Sequence, residues 1–199
     1  KLQTLLDSKV ALLYYEYFMQ HLDESSMYYL EKAVNIVEKL NKEYIETDSK
    51  REYYANAFLA GKCYSALSFY YLDKGYEEKA YEYLKIYLYE DNENLDEFLL
   101  KSEIYMFLDL EEKDLEIVKY RLERLIQKGE LENNTKLVAE AKYTKLVWYF
   151  GLSVITGNHT YYDEGKSLLC EIKQRYMNYY NEFAKEEIAE IEKYVSDKE

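Results

Sequence analysis

A chain of 199 residues with no proline and only six glycines is committed to long, uninterrupted helices. Proline removes a helical donor and clashes with the preceding turn, and proline and glycine together punctuate strands and hairpins. Their scarcity leaves few places for the chain to break. Apolar residues recur three and four apart almost throughout, and the strict alternation of a half-buried strand is almost nowhere found. The fold class that follows is all-α. With 48% hydrophobic and 33% charged residues, the composition is that of a chain able to fold around a core. The length suits one domain or one short array of stacked repeats.

The periodicity predicts nine helices. An opening helix covers about 2–21, and its partner, about 25–41, carries Tyr29, Leu30, Ala33, Val37 and Leu40 on one face. Asp48 or Ser49 then caps a long helix to about Leu72, Gly75 breaks the chain, and a further helix covers about 77–89. Beyond the polar DNEN at 91–94 comes a helix with Leu95, Phe98, Leu99, Ser102 and Met106 on one face, and then a partner with Leu115, Val118, Leu122 and Leu125 inward. Gly129 and the polar ELENN mark the next break. A helix over about 135–155, a turn at Gly157, a helix over about 161–177 and a last one over about 181–195 complete the chain. Paired, these give four hairpins at about 2–41, 49–89, 94–128 and 135–177, with a capping helix at 181–195, in a single domain.

Hairpins in series raise the question of internal repetition, since stacked helix pairs bury a continuous core. In ALSFYYLDKGYEEKAYEYLKIYL, small Ser68 and aromatic Tyr71 precede Gly75, and small Ala80 is followed by Leu84 and Tyr87 at helical spacing. This resembles the tetratricopeptide repeat, in which small residues let paired helices approach and a glycine-aromatic-acidic turn joins them. The first hairpin is a weaker match, with Tyr17, Ser26, Leu30 and Ala33, and the fourth is similar through Gly151, Gly157, Gly165, Leu169 and Ile172. The third departs, with Val118 where the family prefers alanine and Lys113 in place of the turn glycine. Aligned on Ala33, Tyr87, Leu125 and Ile172, the spacings are 54, 38 and 47 residues, against about 34 for the family. The helices are therefore longer than the family consensus. The resemblance implies a TPR-like α-solenoid that binds a peptide or protein partner in its concave face, without enzymatic activity and without a cofactor.

Divergent repeats with long helices are also similar to the peptide-pheromone-sensing domains of Gram-positive transcription regulators. On that alternative a DNA-binding segment is expected upstream of Lys1, and a homodimer is expected through the C-terminal helices. A second alternative is a structural or assembly role with no groove ligand.

A formal net charge of -13 argues against a nucleic-acid surface, which needs clustered Lys and Arg, and equally against an anionic membrane surface. No apolar run is long enough to span a bilayer, and no signal-peptide pattern opens the chain. Cys63 and Cys170, in apolar helical contexts, are expected to be buried free thiols, which points to a reducing, cytoplasmic setting. The common nucleotide-loop, zinc-protease, serine-hydrolase and paired-cysteine motifs are absent. His21 and His159 lie too far apart in sequence to suggest a metal site, and DNENLDE lacks the glycine and closing glutamate of a calcium loop.

Tyrosine is the remaining signal, with 26 in the chain and six doublets at 14–15, 28–29, 53–54, 70–71, 161–162 and 179–180. Neighbours on a helix point about 100° apart, so one ring of a doublet should pack while the other reaches an edge. Tyrosine serves both duties, its ring apolar and its hydroxyl able to find a partner. The first helices of hairpins two and four are the expected ligand face, with Tyr64, Tyr71 and Tyr149 as candidate contacts. Asn56, a mediocre helix former within YYANAFLAG, is a candidate donor to a peptide backbone. Lys142 and Lys145, close together on one helix, are candidate partners for a carboxylate. Trp148 is expected to pack between helices. The acidic balance favours a ligand of basic or apolar character.

Overall fold

A chain this poor in glycine must turn on other residues. Among the described residues, Leu22, Asp48, Leu72 and Asn133 adopt left-handed φ values of 48°, 51°, 54° and 52°, and Gly157 joins them at 68°. Each stands between two helices. The structure is a computed structural model that describes residues 2–90, 92–101, 106 and 110–198. It is all-helical: α1 Leu2–His21, α2 Met27–Glu46, α3 Lys50–Tyr71, α4 Lys74–Leu88, α5 Glu112–Leu131, α6 Thr135–Thr156, α7 His159–Arg175 and α8 Glu182–Ser196. Shorter 3-10 helices cover Glu93–Lys101 and Met177–Tyr179.

Several boundaries differ from those read in the sequence. The second helix runs on to Glu46, its last turns anchored by the buried Tyr44 while Ile45 beside it is exposed. Gly75 is not the break. Leu72 makes the left-handed C-cap of α3, Asp73 caps α4, and Gly75 lies inside α4, donating its backbone N–H to Asp73 Oδ1 at 2.7 Å. Gly129 likewise lies inside α5, where a Cβ would stand 2.7 Å from Val138 Cγ2, and the chain turns at Asn133, within the ELENN stretch expected to break it. The expected fifth helix is a 3-10 helix over Glu93–Lys101, and Ser102 and Asp91 lie outside the described residues. His159 opens α7. Cys63 is buried as expected, but Cys170 is exposed.

The chain divides into two compact units, Lys1–Phe98 with Asp109–Asp114, and Leu99–Leu108 with Leu115–Glu199. In the first, α1 packs on α2, α2 on α3 and α3 on α4. In the second, α6 packs on α7 and α7 meets α8. The best-buried helix of each is a 22-residue helix, α3 in the first and α6 in the second. Asn56 to Leu67 is continuously buried along α3, as befits a helix with neighbours on more than one side. The outer face of α1 leaves Leu2, Leu5, Leu6 and Leu13 exposed.

The two units repeat one another. Helices α2 and α5 start at 27 and 112, α3 and α6 at 50 and 135, and α4 and α7 at 74 and 159, an offset of 85 residues each time. Helices α2 and α5 both have 20 residues. The left-handed positions coincide in this register, Asp48 with Asn133 and Leu72 with Gly157. So do the caps Asp73 and Asn158, each accepting from the backbone N–H two residues on. Burial follows the same register, as at Leu30 and Leu115, Ala33 and Val118, Val37 and Leu122, and Ala80 and Gly165. Such agreement in capping, length and burial is what duplication of a helical unit produces.

Candidate functional site

In the first unit, two tyrosines converge on one carboxylate. Tyr64 on α3 and Tyr83 on α4 both donate to Glu38 Oε1 on α2, at 2.7 and 2.9 Å. Their rings stack with centroids 5.7 Å apart and planes 5° from parallel. Lys79 Nζ stands 5.0 Å over the Tyr64 ring and donates to its hydroxyl at 3.4 Å. Burial, reinforced by the bond to Glu38, pushes the Tyr64 phenol well above its ordinary range. Beside this cluster opens a cleft of about 410 Å³ lined by Glu38, Asn41, Tyr53, Lys79, Tyr83 and Ile86 among others.

Asn56 sits behind that cleft and does not face solvent. It is 2% exposed, and its Nδ2 donates to Val37 O at 2.9 Å and to Asn41 Oδ1 at 2.7 Å. A helix-interior asparagine flanked by apolar residues is thus a buried tie from α3 to α2. Asn41, which the sequence reading missed, is the residue placed at the cleft: its Oδ1 takes the Asn56 bond, and its Nδ2 is buried without a hydrogen-bond partner. Tyr71, at the end of α3, is exposed, with its hydroxyl 3.4 Å from Glu31 Oε1 and its ring 6.0 Å from that of Tyr76.

In the second unit, Tyr149 is buried, stacked on Trp148 at 4.9 Å. Its ring lies 6.1 Å from Tyr161 with an interplanar angle of 30°, against 6.1 Å and 31° for Tyr64 and Tyr76, the same positions one repeat earlier. Burial and a hydrogen bond to Glu164 push the Tyr149 phenol up. At Glu164, burial opposes the charge, but the Tyr149 hydroxyl and the Lys119 ammonium outweigh it, and the carboxyl titrates below its ordinary range. Lys142 donates to Glu171 Oε2 at 2.8 Å, and Lys145 pairs with Glu123 while its ammonium lies 5.4 Å over the Tyr149 ring. Both lysines are engaged within the unit. Trp148 packs between helices, against Tyr149 and Tyr161.

Of the candidate contacts, Asn56, Tyr64, Lys142, Lys145 and Tyr149 are therefore held by partners in their own unit, and Tyr71 alone is largely open. The doublets follow the one-in, one-out expectation at 14–15, 28–29 and 179–180 but not at 70–71, where both rings are exposed, or at 53–54 and 161–162, where both are half-buried. Neither Cys63, whose thiol burial raises to about 12, nor the raised phenols offers an activated nucleophile. Among the described residues, no group of three metal-ligating side chains converges, and no helix is long and apolar enough to cross a membrane. Comparison with family models, with curated proteins and with solved structures finds no match.

Proposed function

We propose that this chain is a non-enzymatic scaffold that binds a peptide or protein partner, built as a TPR-like array of four antiparallel hairpins closed by α8. The offset of 85 residues supports the array, because it spans two hairpins of longer helices than the family's repeat of about 34 residues. The observation that carries the binding reading is the cleft at Glu38 and Asn41. Its walls include Tyr83 and Glu38, held to one another by a hydrogen bond, and Asn41, tied to Asn56. A preorganised polar cleft is what a recognition site needs, since ordering is completed before the ligand arrives.

The reading is tested by mass spectrometry of species that co-purify with the native protein, followed by direct titration of the purified partner against wild type and Tyr53→Ala. Saturable binding weakened by the cleft variant is expected. A protein that retains no peptide or protein partner would sink the reading and leave a structural role.

A further inference from the structure

The first helix is apolar on two sides and packed on one. It lies on α2 and touches α3, with Ala11, Tyr15 and Phe18 buried on the inner side. On the opposite side Leu2, Leu5, Leu6 and Leu13 stand 82%, 55%, 53% and 61% exposed. A helix that is apolar all round belongs in an interior, and a contiguous apolar patch marks a surface that another molecule covers. The last helix is built differently. Helix α8 buries Ala184, Ile188 and Val195 and turns Glu186, Glu190 and Lys193 outward, the polar outer face that keeps a terminal helix of an array soluble. The 85-residue register makes the same contrast. Phe98, the counterpart of Leu13, is half-buried, its ring 6.1 Å from Phe58 and 6.2 Å from Tyr87 of the α3–α4 hairpin. The place taken by Leu13 is therefore a packing position of the repeat, and among the described residues it meets no such hairpin.

Leu2, Leu6, Lys9, Leu13 and Glu16 follow one another at intervals of four, three, four and three residues, the spacing of a coiled-coil seam, and all five are exposed. The two charges decide what this seam fits. Laid parallel, two copies of α1 would set Lys9 on the partner's Lys9 and Glu16 on the partner's Glu16. Laid antiparallel about a two-fold axis near Leu13, they bring Leu13 to the partner's Leu13, Lys9 to the partner's Glu16, and Leu6 to the partner's Tyr17, itself exposed. Each charge then meets its opposite, twice over by symmetry. We propose that the outer face of α1 is a homodimer interface, occupied by α1 of a second copy in antiparallel orientation. One 20-residue helix on each side gives an interface on the order of 1,200 Å², the lower end of the stable range, so the dimer dissociates on dilution. The pairing uses none of the residues of the Glu38 cleft and stands apart from the peptide-binding reading.

Sedimentation equilibrium of the full chain over a range of concentrations reads the association directly. Wild type should pass from monomer to dimer as concentration rises. Leu13→Asp, at an exposed position where the change leaves the helical circular dichroism intact, should remain monomeric. Lys9→Glu and Glu16→Lys, each alone, place like charges across the two-fold axis and should each weaken the dimer by about tenfold or more. The double reversal, Lys9→Glu with Glu16→Lys, restores both pairs and should recover wild-type association, a rescue that a parallel pair or a dimer held elsewhere does not produce. A wild-type chain that stays monomeric at every concentration, leaving the face to some other protein, overturns the assignment. So does a dimer untouched by Leu13→Asp, or a double reversal that associates no better than the single ones.

Discussion

Helices α2–α4 and α5–α7 share one backbone plan written in two sequences. What they keep is the punctuation and the close approaches: the left-handed pairs Asp48 and Asn133, and Leu72 and Gly157; the caps Asp73 and Asn158; and the small residues Ala80 and Gly165. What they exchange is the chemistry between the helices. Asn41 and Asn56, hydrogen-bonded in the first unit, become Ile126 and Ala141 in the second, all of them buried. Ala57 and Ala60 become Lys142 and Lys145, each carrying an ion pair. Helix ends and small-residue contacts therefore hold the register, while an interior position can be polar in one unit and apolar in the other if its partner changes with it.

The strongest way to break that comparison is at the small residues. A Cβ on Gly165 would already lie 2.8 Å from Phe150 Cε2, closer than real contacts allow, and Ala80 is wholly buried. Gly165→Leu and Ala80→Leu should each destabilise by about 1–3 kcal/mol, Gly165→Leu the more, in urea unfolding. Two neutral results would show that these positions do not set the helix spacing. Next in size is the asparagine pair. Asn56→Ala alone leaves Asn41 buried with both ends of its amide unpartnered and should cost about 1–3 kcal/mol. Adding Asn41→Ile reproduces the second unit's apolar pair and should recover most of the loss, a coupling that a double-mutant cycle measures directly.

Much of this fold was legible in the sequence, and for a physical reason: without proline, the 3.6-residue period runs unbroken, so helix identities and most ends could be read. Glycine was the poorer signal for the turns: the chain turns at Leu72, and at Asn133 within the polar ELENN, and it keeps Gly75 and Gly129 inside helices for a cap and for a close contact. The 85-residue register was hidden because few positions are identical across it, and several of those are leucines that match any core. The anchors Tyr87 and Ile172 are true counterparts, but Ala33 pairs with Val118 and Leu125 with Leu40, which scattered the apparent spacing. At the candidate site, a polar residue among apolar ones did flag Asn56. Its bond to Asn41 depends on how α2 lies against α3, which no local pattern records, and so the residue that reaches the cleft was missed.

A smaller contrast lies at the left-handed caps. Leu72 is almost wholly exposed, so it holds a conformation costly to a side chain with no packing in return, whereas its counterpart Gly157 adopts the same conformation freely and has open space around its missing Cβ. Leu72→Gly should stabilise the protein by about 1 kcal/mol and Gly157→Leu should destabilise it by about the same, read as opposite shifts of the urea midpoint.

The smallest contrast is felt only in alkali. Burial raises the Tyr83 phenol from an ordinary 10.0 to about 12. A raised pKa means that the folded state holds its proton longer than the unfolded chain. The stability it contributes is complete below about pH 10 and is lost as pH climbs toward 12. Tyr64, Tyr149 and Tyr180 share this direction, so the wild-type urea midpoint should fall steadily over that window. Because the counterpart of Tyr83 is Leu168, Tyr83→Phe should flatten part of the alkaline decline while Leu168→Phe leaves it untouched. If both variants decline like wild type, the phenol at Glu38 is no more tightly held than a tyrosine in water, and the asymmetry between the units does not extend to that position.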